Sequence, residues 1–200
     1  ETVEIPFEKL LVSVGRRAVT EGLGLETIGV ELERGAVRVD AHMQTSAPRV
    51  YAIGDVNGVS MLAHTAAREG VVAVDHILGG GDAMCYKAIP GIVYTHPEIA
   101  SVGCTEQELQ AEGRAYEVHR VPMTLSGRFV IENEQGNGIC KLLTDEQGVV
   151  LGAHCLGNGS SEILVPAIMA VQCGLKLSDL AKVVFPHPTV CEIIRSATLN

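Results

Sequence analysis

From residue 86 onward the chain lays down strands first and helices afterwards, and this order constrains the fold more than any other feature of the sequence. Residues 116–121, 139–144 and 149–156 are β-branched or apolar runs of strand length. Between the second and third lies Asp145-Glu146-Gln147-Gly148, a turn sequence that joins them as a hairpin. Helical patterns follow at about 160–172, 177–183 and 189–197. A shorter helix over 105–112 precedes the strands, with Thr105 and Glu108 at capping-box spacing and Gly113 just past its end. Strands followed by helices read as an α+β domain, an antiparallel sheet with helices on one face.

The first 85 residues read differently. Residues 10–14, LLVSV, form an expected apolar strand ended by Gly15, and residues 37–39 alternate. Few residues precede that strand, so a sheet begun here would have an exposed edge, and a missing amino-terminal portion is expected. Residues 50–53 form a second expected strand, followed by Gly54-Asp55 and by a helix over 61–78 that Gly79-Gly80-Gly81 stops. Leu62, Ala66, Val71, Val74 and Ile77 or Leu78 make its apolar positions. A strand, loop and helix in succession is an α/β unit. The expected organisation is an incomplete nucleotide-binding region over 1–85 and an α+β domain over 86–200.

Fifteen Lys and Arg against 24 Asp and Glu leave a net charge of −9 without a basic cluster, which argues against nucleic acid and anionic membrane as partners. No apolar run approaches the roughly 18 residues of a bilayer span. No charged-then-apolar signal opens the chain, and the expectation is a soluble, cytoplasmic protein. The cysteines, Cys85, Cys104, Cys140, Cys155, Cys173 and Cys191, contain no close pair, so neither a local redox disulfide nor a zinc knuckle is encoded. Most of them read as buried thiols. His42, His64, His76, His96, His119 and His154 show no ligand-like clustering; they read as surface or satisfied core residues, and no metal is expected.

Two segments carry chemistry. In Thr45-Ser-Ala-Pro-Arg-Val-Tyr-Ala-Ile-Gly-Asp55 a strand delivers Gly54 and then a carboxylate at its carboxyl end, where open α/β sheets bind ligands. Glycine admits close approach to the backbone, and Asp55 can accept hydrogen bonds from ligand hydroxyls. Met61, Leu62, Ala63 and His64 open the next helix, whose free N–H groups and positive end point toward whatever Asp55 holds. An ordinary Gly-Asp turn and helix start also fit these residues. In Phe185-Pro-His-Pro-Thr-Val-Cys-Glu192 two prolines stiffen the backbone around His187, and Glu192 follows five positions later. A carboxylate that orients an imidazole makes a stronger general base, although Thr189 and Glu192 also fit a capping box that needs no catalysis.

These two segments, with Leu11-Val-Ser-Val-Gly-Arg16, Val93-Tyr-Thr-His-Pro-Glu98 and Ala100-Ser-Val-Gly103, resemble in order and over nearly the whole chain the flavin-dependent pyridine nucleotide-disulfide oxidoreductases of the dihydrolipoamide dehydrogenase type. The resemblance implies FAD, with Gly54 and Asp55 at the ribityl chain and the backbone of Met61, Leu62, Ala63 and His64 at the N1 and O2 edge of the isoalloxazine. It implies His187 as acid/base and Glu192 as its orienting partner, both reaching into the active site of the other subunit of a homodimer. The implied reaction oxidises dihydrolipoamide to lipoamide through a redox disulfide and FAD, with NAD+ as acceptor. The implied partner is the lipoyl domain of a 2-oxo acid dehydrogenase complex or of the glycine cleavage system. A glutathione or mercuric reductase, or a dimerisation module without catalysis, are the alternatives.

The sequence departs from the family pattern in two ways. Phe185 stands where dihydrolipoamide dehydrogenases usually have a histidine, and neither G-x-G-x-x-G nor C-x-x-x-x-C occurs. The 200 residues alone are therefore expected to be inactive and to bind FAD weakly or not at all.

Overall fold

The computed structural model of the chain describes residues 2–134 and 136–199. It divides into two units, Glu1–Met84 and Cys85–Asn200.

In the first unit a small hairpin, β1 (Leu32–Glu33) and β2 (Ala36–Val37), is followed by a 3-10 turn at Gly54–Asn57 and helix α1 (Ala63–Ile77). The strands expected at residues 10–14 and 50–53 do not form. The first run is exposed and irregular, and the second contributes only an isolated bridge from Tyr51 to Gln44. A strand exists only as a member of a ladder, and among the described residues neither run finds a continuous partner. Val30, Val37 and Ala47 instead close a small core with Val50, Ala52 and Val56. Helix α1 buries Thr65, Glu69, Val72 and Ala73, whereas Val71, Val74 and Ile77 of the expected apolar set are exposed. The buried residues keep helical spacing, but the stripe is centred on polar positions that a hydrophobic pattern passes over.

The second unit is built on an antiparallel sheet of β3 (Gly91–Val93), β4 (Ile99–Gly103), β5 (Glu117–Pro122), β6 (Ile139–Thr144) and β7 (Val150–Leu156), in the order β3-β4-β7-β6-β5. Strands β3 and β4 add to the three expected: β3 is very short, and the small residues of β4 become a strand because β7 pairs along its length. The hairpin turn forms, with Asp145 Oδ1 accepting from the N–H groups of Gln147 (3.0 Å) and Val149 (2.8 Å).

Helices α2 (Glu106–Ala111), α3 (Gly127–Glu132), α4 (Ser160–Ile163), α5 (Val165–Cys173), α6 (Leu177–Leu180) and α7 (Glu192–Ala197) complete the unit. The single helix expected over 160–172 is split at Leu164, because Pro166 lies in the first turn of the next segment and offers no N–H to continue the ladder. Helix α7 starts at Glu192 and not at 189. The main core joins Val102, Val121, Cys140, Leu142, Ala153 and Cys155 of the sheet to Leu164, Ala167, Ala170, Ile193, Ile194 and Ala197 of the carboxy-terminal helices. Leu143, next to Leu142 and so on the opposite face, packs with Leu151 and with Leu109 of α2. The α+β architecture is as expected, with α2 alone of these core helices on the second face. All six cysteines are free, but only Cys140 and Cys155 are buried; Cys85 and Cys173 are exposed, which corrects the reading of most as core thiols.

Candidate functional site

The carboxy-terminal segment displays one imidazole from an anchored loop. Phe185, Val190 and Cys191 pack against the main core, while Pro186, His187 and Pro188 between them are exposed, and the side chain of His187 is 81% accessible. The His187–Pro188 peptide bond is cis. His187 Nδ1 lies 2.9 and 3.1 Å from the two carboxylate oxygens of Glu192. The Thr189 N–H donates to Glu192 Oε2 at 2.8 Å, and the Thr189 hydroxyl donates to the Pro186 carbonyl at 2.7 Å. Ser126, the cap of α3, donates its hydroxyl to the Thr189 carbonyl at 3.1 Å. Nothing in the spacing of Ser126 signals this tie, which joins residues far apart in the chain.

Glu192 therefore holds the imidazole, but the expected capping box forms only in half: the carboxylate accepts the Thr189 N–H, while the Thr189 hydroxyl turns to the Pro186 carbonyl and Cys191 is the N-cap of α7. The Thr189 amide first, and then His187, hold the Glu192 carboxyl below the usual carboxylate range. An ionised carboxylate can only accept, so Nδ1 must carry the proton of this bond and Nε2 keeps a free lone pair. Such a histidine takes a proton at Nε2, and the adjacent carboxylate stabilises the imidazolium that results.

In the first unit Gly54 opens the 3-10 turn with φ +74°, a left-handed conformation in which a side chain would also press within 3.3 Å of Ala66 Cβ. Asp55 follows it, exposed. Met61 and Leu62 precede α1, and Ala63 and His64 begin it. Leu62 occupies the N-cap and its apolar side chain makes no cap bond, so the positive end of α1 is not neutralised by its own N-cap residue. The turn is held from beneath by residues the sequence reading missed. Glu69 Oε2 accepts the Gly54 N–H at 2.6 Å and the Asn57 amide at 3.0 Å. Asn57 Oδ1 accepts the Val59 N–H at 2.9 Å, and the Ser60 hydroxyl donates to Thr65 at 3.0 Å. The only available signal was a glutamate on the buried stripe of a helix.

The other histidines divide. His76 Nδ1 meets the Tyr51 hydroxyl at 2.9 Å and its ring stacks on His42 at 4.7 Å, while His42 Nδ1 bonds the Asp82 carbonyl at 2.8 Å. His154 departs from the expected satisfied state: both ring nitrogens are buried without a hydrogen-bond partner among the described residues. Burial, and then the nearby Lys141 ammonium, hold its pKa below the ordinary imidazole value, so it stays neutral where it lies.

The fold and these motifs define a class, and comparison with known families makes it explicit: the chain belongs to the pyridine nucleotide-disulphide oxidoreductases, residues 89–198 matching their dimerisation domain and residues 1–70 a second domain model of the same family. Members of this family use FAD and NAD. Among individual relatives, the chain is 43% identical to the mitochondrial dihydrolipoyl dehydrogenase of Caenorhabditis elegans, over 96% of this chain and 39% of that protein. It is 41% identical to the human mitochondrial dihydrolipoyl dehydrogenase, over 98% of this chain and 38% of that protein. The crystal structure of LpdA from Mycobacterium tuberculosis superimposes with a TM-score of 0.87 at 32% identity, covering 94% of this chain and 41% of that one. The HOCl-induced flavoprotein disulfide reductase RclA from Escherichia coli, as its Cu(II) complex, gives 0.84 at 27% identity, over 94% of this chain and 43% of that one. The chain thus spans about two-fifths of the length of the curated relatives it matches. The expectation of a cytoplasmic protein is overturned, because these curated relatives are mitochondrial. Charge and hydropathy report solubility and carry no address.

Proposed function

We propose that this chain supplies the acid/base pair, part of the flavin cradle and the dimer contacts of a dihydrolipoyl dehydrogenase, which oxidises dihydrolipoamide to lipoamide with NAD+ as acceptor. The observation that carries this reading is the bond between His187 Nδ1 and Glu192, which leaves Nε2 free on an exposed, anchored segment. His187 takes the proton of the substrate thiol at Nε2. Glu192 holds the ring in the required tautomer and offsets the positive charge as it forms. Both groups serve the partner subunit of a homodimer, and the dithiol is presented by a lipoyl domain.

The residues of the first unit fit a flavin. A left-handed Gly54 lets a ligand close on the backbone, the exposed Asp55 carboxylate can accept from the hydroxyls of a polyol chain, and the side-chain-uncapped start of α1, at Ala63 and His64 after Met61 and Leu62, suits an electron-rich ring edge. FAD bound there would pass the electron pair of the dithiol on to NAD+. A second reading, a different disulfide reductase of the same family, is favoured by Phe185 at the position before Pro186 and His187.

Steady-state assay of the purified full-length protein separates the two. Turnover of dihydrolipoamide with NAD+, lost on His187→Gln, is the expected result. Turnover confined to glutathione disulfide or another acceptor would replace it with the second reading, and a colourless protein without bound flavin would refute both.

A further inference from the structure

We infer that Glu69 is the positioning residue of the flavin-binding turn, a buried carboxylate whose task is to clamp Gly54 and Asn57 so that Asp55 between them faces its ligand in one direction. The inference rests on the reading of Gly54 and Asp55 as a flavin site and adds to it a residue outside the recognised motif.

Glu69 lies two turns into α1 and is 0% exposed. A carboxyl group taken out of water is costly unless donors replace the lost hydration, and an apolar residue would fill a helix stripe with less penalty. Two donors to Glu69 Oε2 come from the one turn of interest: the Gly54 N–H at 2.6 Å and the Asn57 side-chain amide at 3.0 Å. They bracket Asp55 and Val56. The Gly54 N–H before Asp55 and the Asn57 side chain after it are thereby tied to α1, while Asp55 itself is left exposed. The tie continues through Asn57 Oδ1 to the Val59 N–H, and Ser60 is bonded to the buried Thr65 in the first turn of α1. Glu69 thus couples the turn that carries Asp55 to the helix whose N-terminus follows it.

The test uses the full-length protein stripped of flavin and titrated with FAD, read by quenching of flavin fluorescence, by the visible flavin spectrum and by the flavin midpoint potential, with the melting temperature of each apoprotein measured separately. Glu69→Gln keeps an oxygen able to accept both donors and is expected to bind FAD within about threefold of wild type. Glu69→Ala leaves two buried donors unpaired and is expected to weaken FAD by about tenfold or more, with a shifted flavin spectrum and potential. Asn57→Ala removes one donor only and should fall between, and the double variant should be less than additive because both changes break one network. If Glu69→Ala does not fold, Glu69→Gln and Asn57→Ala decide the matter. FAD affinity, spectrum and potential unchanged in the variants, with only the melting temperature lowered, would reduce Glu69 to a packing residue and overturn the inference. Glu69→Gln as damaging as Glu69→Ala would overturn the hydrogen-bond account. Wild-type protein that binds no FAD would remove the flavin reading, and this inference with it.

Discussion

His187 is aimed by chemistry that begins with an amide. The Thr189 N–H fixes the Glu192 carboxylate, the carboxylate fixes the imidazole, and Nε2 is left to act. His187→Gln in the full-length protein is expected to slow thiol oxidation by ~10²-fold or more, as loss of a general base does, with flavin content unchanged. Glu192→Gln should cost less, because the amide can still orient the ring but brings no charge; steady-state kinetics of the two variants side by side decides this. The pH behaviour follows from the depressed carboxyl of Glu192. A group whose folded pKa lies below its unfolded value contributes stability that is present above the ordinary carboxylate range and is lost as pH falls through the lowered value. The Thr189 amide resonance should therefore hold its bonded position down through the ordinary carboxylate range and move only below it. A transition at the ordinary value would show that Glu192 is not held as described.

Helix α7 carries Glu192 at its first position, and its buried face is what keeps that position still. Ile193, Ile194 and Ala197 are fully buried against β5 and β6 and their neighbours. Ile194→Ala is expected to destabilise the second unit by about 2 to 5 kcal/mol, measured by denaturant unfolding, since the cavity left in the main core cannot collapse fully. Helix α2 depends on its cap. Thr105 Oγ1 accepts the Glu108 N–H at 3.2 Å while Glu108 Oε2 accepts the Thr105 N–H at 2.8 Å. Thr105→Ala should cost about 1 kcal/mol by the same measurement, and a change within error would mean that solvent replaces the cap. The capping box could be read from spacing because both partners lie within one helical turn. The break at Leu164 could have been read from Pro166, which a periodicity search over apolar residues overlooks.

The second unit leaves Leu125, Val165, Met169, Val183 and Val184 exposed, apolar side chains that a dimer contact would cover. Sedimentation of the full-length protein is expected to give a homodimer, and a monomer at tens of micromolar would count against it. If His187 serves the partner subunit, mixing a His187→Gln protein with one lacking a redox cysteine should restore one working site in each hybrid dimer. Reshuffled subunits that stay inactive would show that each chain uses its own base.

What the sequence determined by itself was local or motif-borne. The hairpin at Asp145–Gly148, the cap at Thr105, the strands β5, β6 and β7, the pairing of His187 with Glu192 and the family itself all rest on residues a few positions apart or on short segments in a fixed order. What only the tertiary structure decided was pairing across distance. LLVSV is strand-like in composition yet stays irregular, because a ladder needs a partner; IASVG, where Ala, Ser and Gly dilute Ile99 and Val102, becomes β4, because β7 lies beside it. The buried side of α1 follows the same rule. Val71 and Val74 read as core, but burial belongs to whichever face meets another element, and here that face presents Glu69 to the backbone of Gly54.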